Sequence, residues 1–148
     1  MVILRNFKND DADVLRKFHN ANMSIKEIQD VINDWNKYEF QGKYFEMFAI
    51  INDEKIVGMI SLYQHSSSVI SIAPEVFSPF QKQGIGNQAM RVALETAKNK
   101  GYKIVAQQVR SDNVPSIALH SSLGFETDKY GYINKKENEI YLFLKSLQ

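Results

Sequence analysis

Gln81-Lys82-Gln83-Gly84-Ile85-Gly86-Asn87 follows an apolar run and opens a stretch in which Ile85, Ala89, Val92, Ala93 and Ala97 recur at helical spacing. A chain with this order must pass from extended backbone through a tight turn straight into an amphipathic helix. Glycine adopts dihedrals closed to other residues and lets a ligand approach the backbone closely. The first N–H groups of a helix have no intrahelical acceptor, and the helix dipole adds partial positive charge there. Such a turn suits a phosphate group. It is not a dinucleotide fingerprint, because Ala89 stands where the third glycine of G-x-G-x-x-G would be and no acidic residue follows at a suitable distance. The Gly-Lys-Ser/Thr of a nucleoside triphosphatase loop is missing too. A Gly-x-Gly turn taken alone is also a common structural device.

Around this turn the chain reads as alternating strands and helices. Val2 to Phe7 alternates as a strand, and Asp10 to Asp13 starts a helix with Val14, Leu15 and Phe18 on its apolar face. Ser24 with Glu27 forms a capping-box pattern before Ile25, Ile28, Val31, Ile32 and Trp35. Tyr44 to Ile51 and Lys55 to Tyr63 form a hairpin around Asn52-Asp53-Glu54. Val69 to Phe77 is β-rich but contains Pro74, which points to a sheet edge or a bulge. The helix from Gly84 to Lys100 stops at Gly101, Lys103 to Val109 is a strand, and Pro115 to Leu123 is a short helix ended by Gly124. Phe125 to Tyr132 and Glu139 to Lys145 are expected as two last strands flanking a polar turn at Asn134 to Asn138. The expectation is one α/β domain over residues 1–148 with a mixed sheet.

Composition narrows the chemistry. The chain has no cysteine, which excludes a thiol nucleophile, a cysteine zinc site and a disulfide framework. No metal site is expected. Met1 to Arg5 lacks the pattern of a secretion signal and no apolar run spans a bilayer, so a cytoplasmic protein without membrane contact is expected. A formal net charge of +1 argues against general nucleic-acid binding. Charge is uneven, however. Lys82, Arg91, Lys98, Lys100, Lys103 and Arg110 face only Glu95 and Asp112 between positions 81 and 120, which suits a polyanionic ligand as well as a solvated helix face.

A second segment follows the glycine turn: Asn113-Val114-Pro115-Ser116-Ile117-Ala118-Leu119-His120-Ser121-Ser122-Leu123-Gly124-Phe125. Taken together, and in this order, the two segments resemble the GNAT family of acyl-CoA-dependent N-acetyltransferases, in which Q/R-x-x-G-x-G/A precedes N-x-x-S/A-x-x-L-Y/H-x-x-x-G-F. The resemblance implies a GNAT-like fold with a mostly antiparallel sheet of about six or seven strands, splayed at a cleft, and about four helices. It implies acetyl-CoA as co-substrate and a small-molecule or peptide amine as acceptor, in a monomer or homodimer. By the same resemblance Gln81, Lys82, Gln83, Gly84, Ile85, Gly86 and Asn87 cradle the pyrophosphate. Glu75, Val76 and Phe77 present free backbone to the pantetheine arm, and Asn113, Ser116 and His120 meet it from the other side. Family members often carry proline three residues before the Gln/Arg; here Ser78 is there and Pro79 comes one later.

His120 stands where many relatives carry the tyrosine that protonates the departing thiolate. A thiol near pKa 8.5 leaves more easily with a proton, and imidazole titrates close enough to neutrality to provide one. A packed core histidine is the competing reading, as an N-cap is for Asn113. Some relatives place a base, glutamate, five residues before the motif asparagine; that position is Gln108, which takes no proton. Glu75 is the nearest acidic base candidate, with a surface role as its alternative, and water relays from backbone carbonyls are the alternative to any side-chain base. Tyr38, Phe40, Tyr44 and Phe45, and Tyr130 and Tyr132, are either acceptor-pocket or packing aromatics. Two other functions compete with the enzyme. One is a non-catalytic acyl-CoA-binding module on the same fold, and the other is a nucleotide phosphate binder using only the glycine turn.

Overall fold

A computed structural model describes residues 1–148. Its longest strands are β3 (Lys43–Asn52) and β4 (Lys55–Gln64), joined through Asp53 and Glu54. Both turn residues take positive φ, 49° and 65°, the conformation whose twist matches that of the flanking strands. β1 (Val2–Asn6) and the short β2 (Glu39–Phe40) pair with β3, and β5 (Val69–Val76) pairs with β4. β6 (Ile104–Arg110), β7 (Tyr132–Ile133) and β8 (Glu139–Ser146) complete an eight-stranded sheet in the order β1-β3-β4-β5-β6-β8-β7, with β2 beside β3. Every pairing is antiparallel except β5 with β6. The mixed, mostly antiparallel sheet is as expected; the two-residue strands β2 and β7 raise its count.

Helices cover both faces. α1 (Ala12–Phe18) and α2 (Ile25–Trp35) bury Leu15, Ile28 and Ile32 against Phe7, Ala49, Met59 and Phe77. The start of α2 is fixed by the expected box: Ser24 Oγ accepts from Glu27 N at 3.1 Å and Glu27 Oε1 accepts from Ser24 N at 3.0 Å. α3 (Ile85–Asn99) lies on the opposite face and buries Ile85, Ala89, Met90, Ala93, Leu94 and Ala97. Val92, expected on that face, is half-buried; Met90 and Leu94 take the inward positions instead. α4 (Val114–Ser122) follows β6. No helix is long and apolar enough to cross a membrane.

The expected strand from Phe125 to Tyr132 does not form. Only a Glu126–Leu144 bridge and β7 pair there. Thr127 Oγ1 accepts from Lys129 N and Asp128 Oδ1 from Tyr130 N, so local side-chain bonds turn the backbone away from the ladder.

The sheet is interrupted where β5 meets β6. These parallel strands pair only through Val69–Ile104 and Ile70–Val105. Beyond that point β5 stays with β4 as far as Val76, while β6 stays with β8. A wedge opens between them, and Pro74 lies along it, at an edge made inside the sheet rather than at a bulge. Gly58, opposite Val76 on β4, lets the two strands close up tightly. A Cβ at residue 58 would sit 2.3 Å from the Glu75 carbonyl oxygen. Gly58→Ala is therefore expected to cost about 1–3 kcal/mol in chemical denaturation, the usual penalty of overpacking, by forcing β5 away from β4.

Candidate active site

Along β5 the backbone groups of alternate residues face opposite neighbours. Phe77 N donates to the Val57 carbonyl at 2.9 Å, so Phe77 and, two residues back, Glu75 turn toward β4. Ile72, Pro74 and Val76 turn into the wedge. Two side chains confirm this phase. Gln107 of β6 bonds both the N–H and the C=O of Ile72, and Gln81 Nε2 donates to the Val76 carbonyl at 2.9 Å. The groups left facing the wedge are the Pro74 carbonyl and the Val76 N–H. Of Glu75, Val76 and Phe77, all expected to offer free backbone, only Val76 does so. The Phe77 ring is buried against Phe18, their centroids 5.2 Å apart.

At the mouth of the wedge, Gly84 caps α3 in the left-handed conformation, φ 78°, with no side chain bonded to the free N–H groups of the first turn. Lys82 takes φ 64°. Gly86 faces the gap between β5 and α4, where an added Cβ would lie 3.8 Å from Val76 and 3.9 Å from Leu119. Ile85 is buried and anchors the turn. Asn87 Nδ2 donates to Ser122 Oγ at 3.2 Å, tying α3 to α4. Gln81 folds back on β5, whereas Lys82 and Gln83 are exposed. Gly86, against Val76 and Leu119, thus brings turn, strand and α4 together.

Farther along the wedge is a cleft of about 670 Å³, lined by His65, Ile72, Pro74, Gln107, Ser116 and His120 among others. Asn113 Oδ1 accepts from Ser116 N at 3.1 Å, the expected N-cap, with Pro115 in the first turn. His120 is only 3% exposed and packs against the rings of Phe125 and Phe143. Its Nδ1 lies 2.7 Å from the Ser116 carbonyl and so carries the proton; its Nε2 faces the Gln107 amide nitrogen at 3.3 Å and accepts. Burial pushes the His120 pKa down, against a smaller opposing effect of the Ser116 carbonyl. The ring is therefore neutral at pH 7, and its one proton is held away from the cleft. This geometry does not support the expected general-acid role.

Glu75 points to the other face of the sheet, half-exposed, with Oε2 2.9 Å from His19 Nδ1. Gln108 lines the cleft but is exposed. The aromatic stretch divides. Phe40 and Phe45 join Trp35 and Tyr63 around a separate hollow of about 460 Å³ with Asp34 and Glu39 at its rim. Tyr44 lies on the α3 side with Tyr102, and Tyr38 donates to Asn6. Tyr130 and Tyr132 form an exposed pair. Gln107 is the residue that sequence reading missed. Its signal is phase, since it alternates with the buried Val105 and Val109 on β6.

The His120 assignment has a pH signature. A histidine whose folded pKa lies below the ordinary 6.5 favours the unfolded chain once protons bind. Its stabilising contribution is complete above that value and is lost as pH falls below it. Nitrogen-15 NMR at pH 7 is expected to show the Nδ1–H tautomer, titrating below 6.5. A His120 that is cationic at pH 7 contradicts the assignment.

The acetyltransferase (GNAT) family profile matches residues 12–125. The chain is 25% identical over 122 residues to YokL, a prophage-derived uncharacterized N-acetyltransferase of Bacillus subtilis, covering 80% of this chain and 68% of that protein. Its fold resembles that of yncA, a putative acetyltransferase from Salmonella typhimurium with its cofactor acetyl-CoA, at TM-score 0.75 and 15% identity over 100% of this chain and 95% of the other. It also resembles a Salmonella typhimurium acetyl transferase that modifies the N-terminal serine of ribosomal protein L7/L12, at TM-score 0.79 and 16% identity over 99% and 95%. With the profile covering most of its length, the glycine turn and the second motif included, this chain belongs to the GNAT family of acetyltransferases.

Proposed function

We propose that the chain moves an acetyl group from acetyl-CoA to a primary amine by direct attack in a ternary complex. The observation that carries this reading is the wedge between β5 and β6. It leaves one carbonyl, that of Pro74, and one N–H, that of Val76, facing the gap between an uncapped glycine turn and a cleft that reaches α4. An amide-bearing arm needs one acceptor and one donor in this arrangement. A pyrophosphate needs the backbone N–H groups from Lys82 to Asn87 and the positive end of α3. When bound, acetyl-CoA supplies an activated thioester with a thiol leaving group.

The chain supplies position and hydrogen bonds. With no cysteine in the sequence, no cysteinyl intermediate forms. Ser116 Oγ lies in the cleft, 3.4 Å from His120 Nδ1, whose proton already bonds the Ser116 carbonyl. The Ser116 hydroxyl is therefore free to donate a hydrogen bond to the departing sulfur, which leaves as a thiolate and takes its proton from water, and His120 fixes the turn of α4 that presents it. An alkyl amine is almost wholly protonated at pH 7 and must lose a proton before attack. Glu75, held by His19 on the α1 face, lies outside the cleft lining, so it takes that proton only through water. Orientation of the amine against the acyl carbon provides the remaining acceleration.

The test runs in two stages. Acetyl-CoA, but not ATP, is expected to raise the melting temperature. Thiol release should then depend on a member of a panel of polyamines, amino acids, aminoglycosides and peptide N-termini. Ser116→Ala is expected to lower kcat by about tenfold while leaving most of the acetyl-CoA melting shift, as for loss of one hydrogen bond to a charged leaving group. An unchanged kcat removes Ser116 from that role. Cofactor binding without turnover on any amine identifies an acyl-CoA-binding module instead.

A further inference from the structure

Gln107 does something unusual for a strand residue: its side chain takes the place of backbone. Ile72 is the first residue past the last β5–β6 rung whose backbone faces the wedge. In an unbroken sheet both its groups would pair with the β6 main chain. Instead Gln107 Oε1 accepts from Ile72 N at 2.8 Å, and Gln107 Nε2 donates to the Ile72 carbonyl. The second hydrogen of Nε2 points to His120 Nε2 at 3.3 Å. A side-chain amide has the same donor and acceptor as a peptide unit, so it imitates one rung and then ends. On the other face of the sheet, Ser71 Oγ bonds the Ala106 carbonyl and closes the same level. Gln107 is 5% exposed and both its amide protons are engaged.

We propose that Gln107 is the end stop of the acyl site and sets the length of acyl group the enzyme accepts. The inference rests on the acetyl-CoA reading above. An arm entering from the glycine turn finds Val76 and Pro74 open, and it finds Ile72 already paired. Its reacting end must halt where the Gln107 amide closes the wedge, against Ile72 and His120. No backbone stands behind that amide until the Ile70–Val105 rung. The depth of the site is thus the length of one side chain, which a substitution can change without moving a strand. A residue that merely satisfied Ile72 would affect stability and leave acyl preference alone.

Binding reads this without knowledge of the acceptor. Melting shifts and calorimetry with CoA, acetyl-CoA, propionyl-CoA and butyryl-CoA are expected to rank acetyl-CoA above butyryl-CoA for the natural sequence. Gln107→Ala is expected to raise affinity for butyryl-CoA relative to acetyl-CoA by about tenfold, the scale of a methylene or two in an apolar pocket. Gln107→Asn, one methylene shorter and still an amide, is expected to shift preference toward propionyl-CoA, and it serves if the alanine variant does not fold. Gln107→Met fills the wedge without hydrogen bonds and is expected to melt lower yet keep the acetyl preference. An unaltered order of acyl-CoA affinities in folded alanine and asparagine variants overturns the end stop and leaves acetyl-CoA binding standing. Failure of the natural sequence to bind any acyl-CoA overturns both.

Discussion

Two rungs of parallel pairing between β5 and β6, and then none, are the constraint on which the site depends. Parting two strands inside a sheet exposes main-chain donors and acceptors, and each one buried without a partner costs about 1–3 kcal/mol. This protein meets that cost locally. Gln107 satisfies both groups of Ile72, Ser71 satisfies the Ala106 carbonyl, Gln81 satisfies the Val76 carbonyl, and Pro74 has no N–H to satisfy. The wedge therefore stands open as part of the folded state and does not require a ligand to hold it apart. The helices contribute by covering the two faces on either side of the gap. α3 packs on the side that carries the glycine turn, and α1 and α2 pack on the side that carries Glu75.

The cleft contains little conventional acid–base machinery. Of its two histidines, His120 is neutral with Nδ1–H bonded inside α4, and His65 has Nε2 2.6 Å from Ser71 Oγ; the rest of the wall is amide, hydroxyl and aliphatic. That composition suits transfer between two bound partners. An activated thioester and a neutral amine need alignment and exclusion of water more than they need a strong base. His120 then acts through what it arranges: one nitrogen on the Ser116 carbonyl and the other toward the Gln107 amide, so that α4 and β6 are linked through one ring.

Features encoded by neighbouring residues were legible in the sequence. Ser24 with Glu27, Asn113 with Pro115, and Gly84 ahead of Ile85 each specify a helix start within a few positions, and each is where it was read. What depended on register was not legible. That β5 would part from β6 was expected, but which of Glu75, Val76 and Phe77 faces the gap follows from pairing with Met59, Gly58 and Val57 of β4, well back along the chain. Gln107 drew no reading because its partner Ile72 is distant in sequence and close only once the strands are laid side by side. The tautomer of His120 likewise depends on a carbonyl one turn back and on an amide from another strand. The segment after Gly124 shows the opposite failure. Its composition is β-rich, yet Thr127 and Asp128 bond their own backbone neighbours and win over the sheet.

Pro74 carries a consequence for the protein's behaviour in a crowded solution. An open strand edge invites any extended segment, from a nascent chain or an unfolded neighbour, to add itself by main-chain pairing. Here such an intruder meets a position with no donor at Pro74, a carbonyl already taken at Val76 and a rung already filled at Ile72. Successive backbone bonds, which a polypeptide strand needs, are unavailable, whereas two isolated ones remain. The gap is thereby selective against polypeptide itself, and the sheet keeps an internal edge without the liability to aggregate that such edges bring.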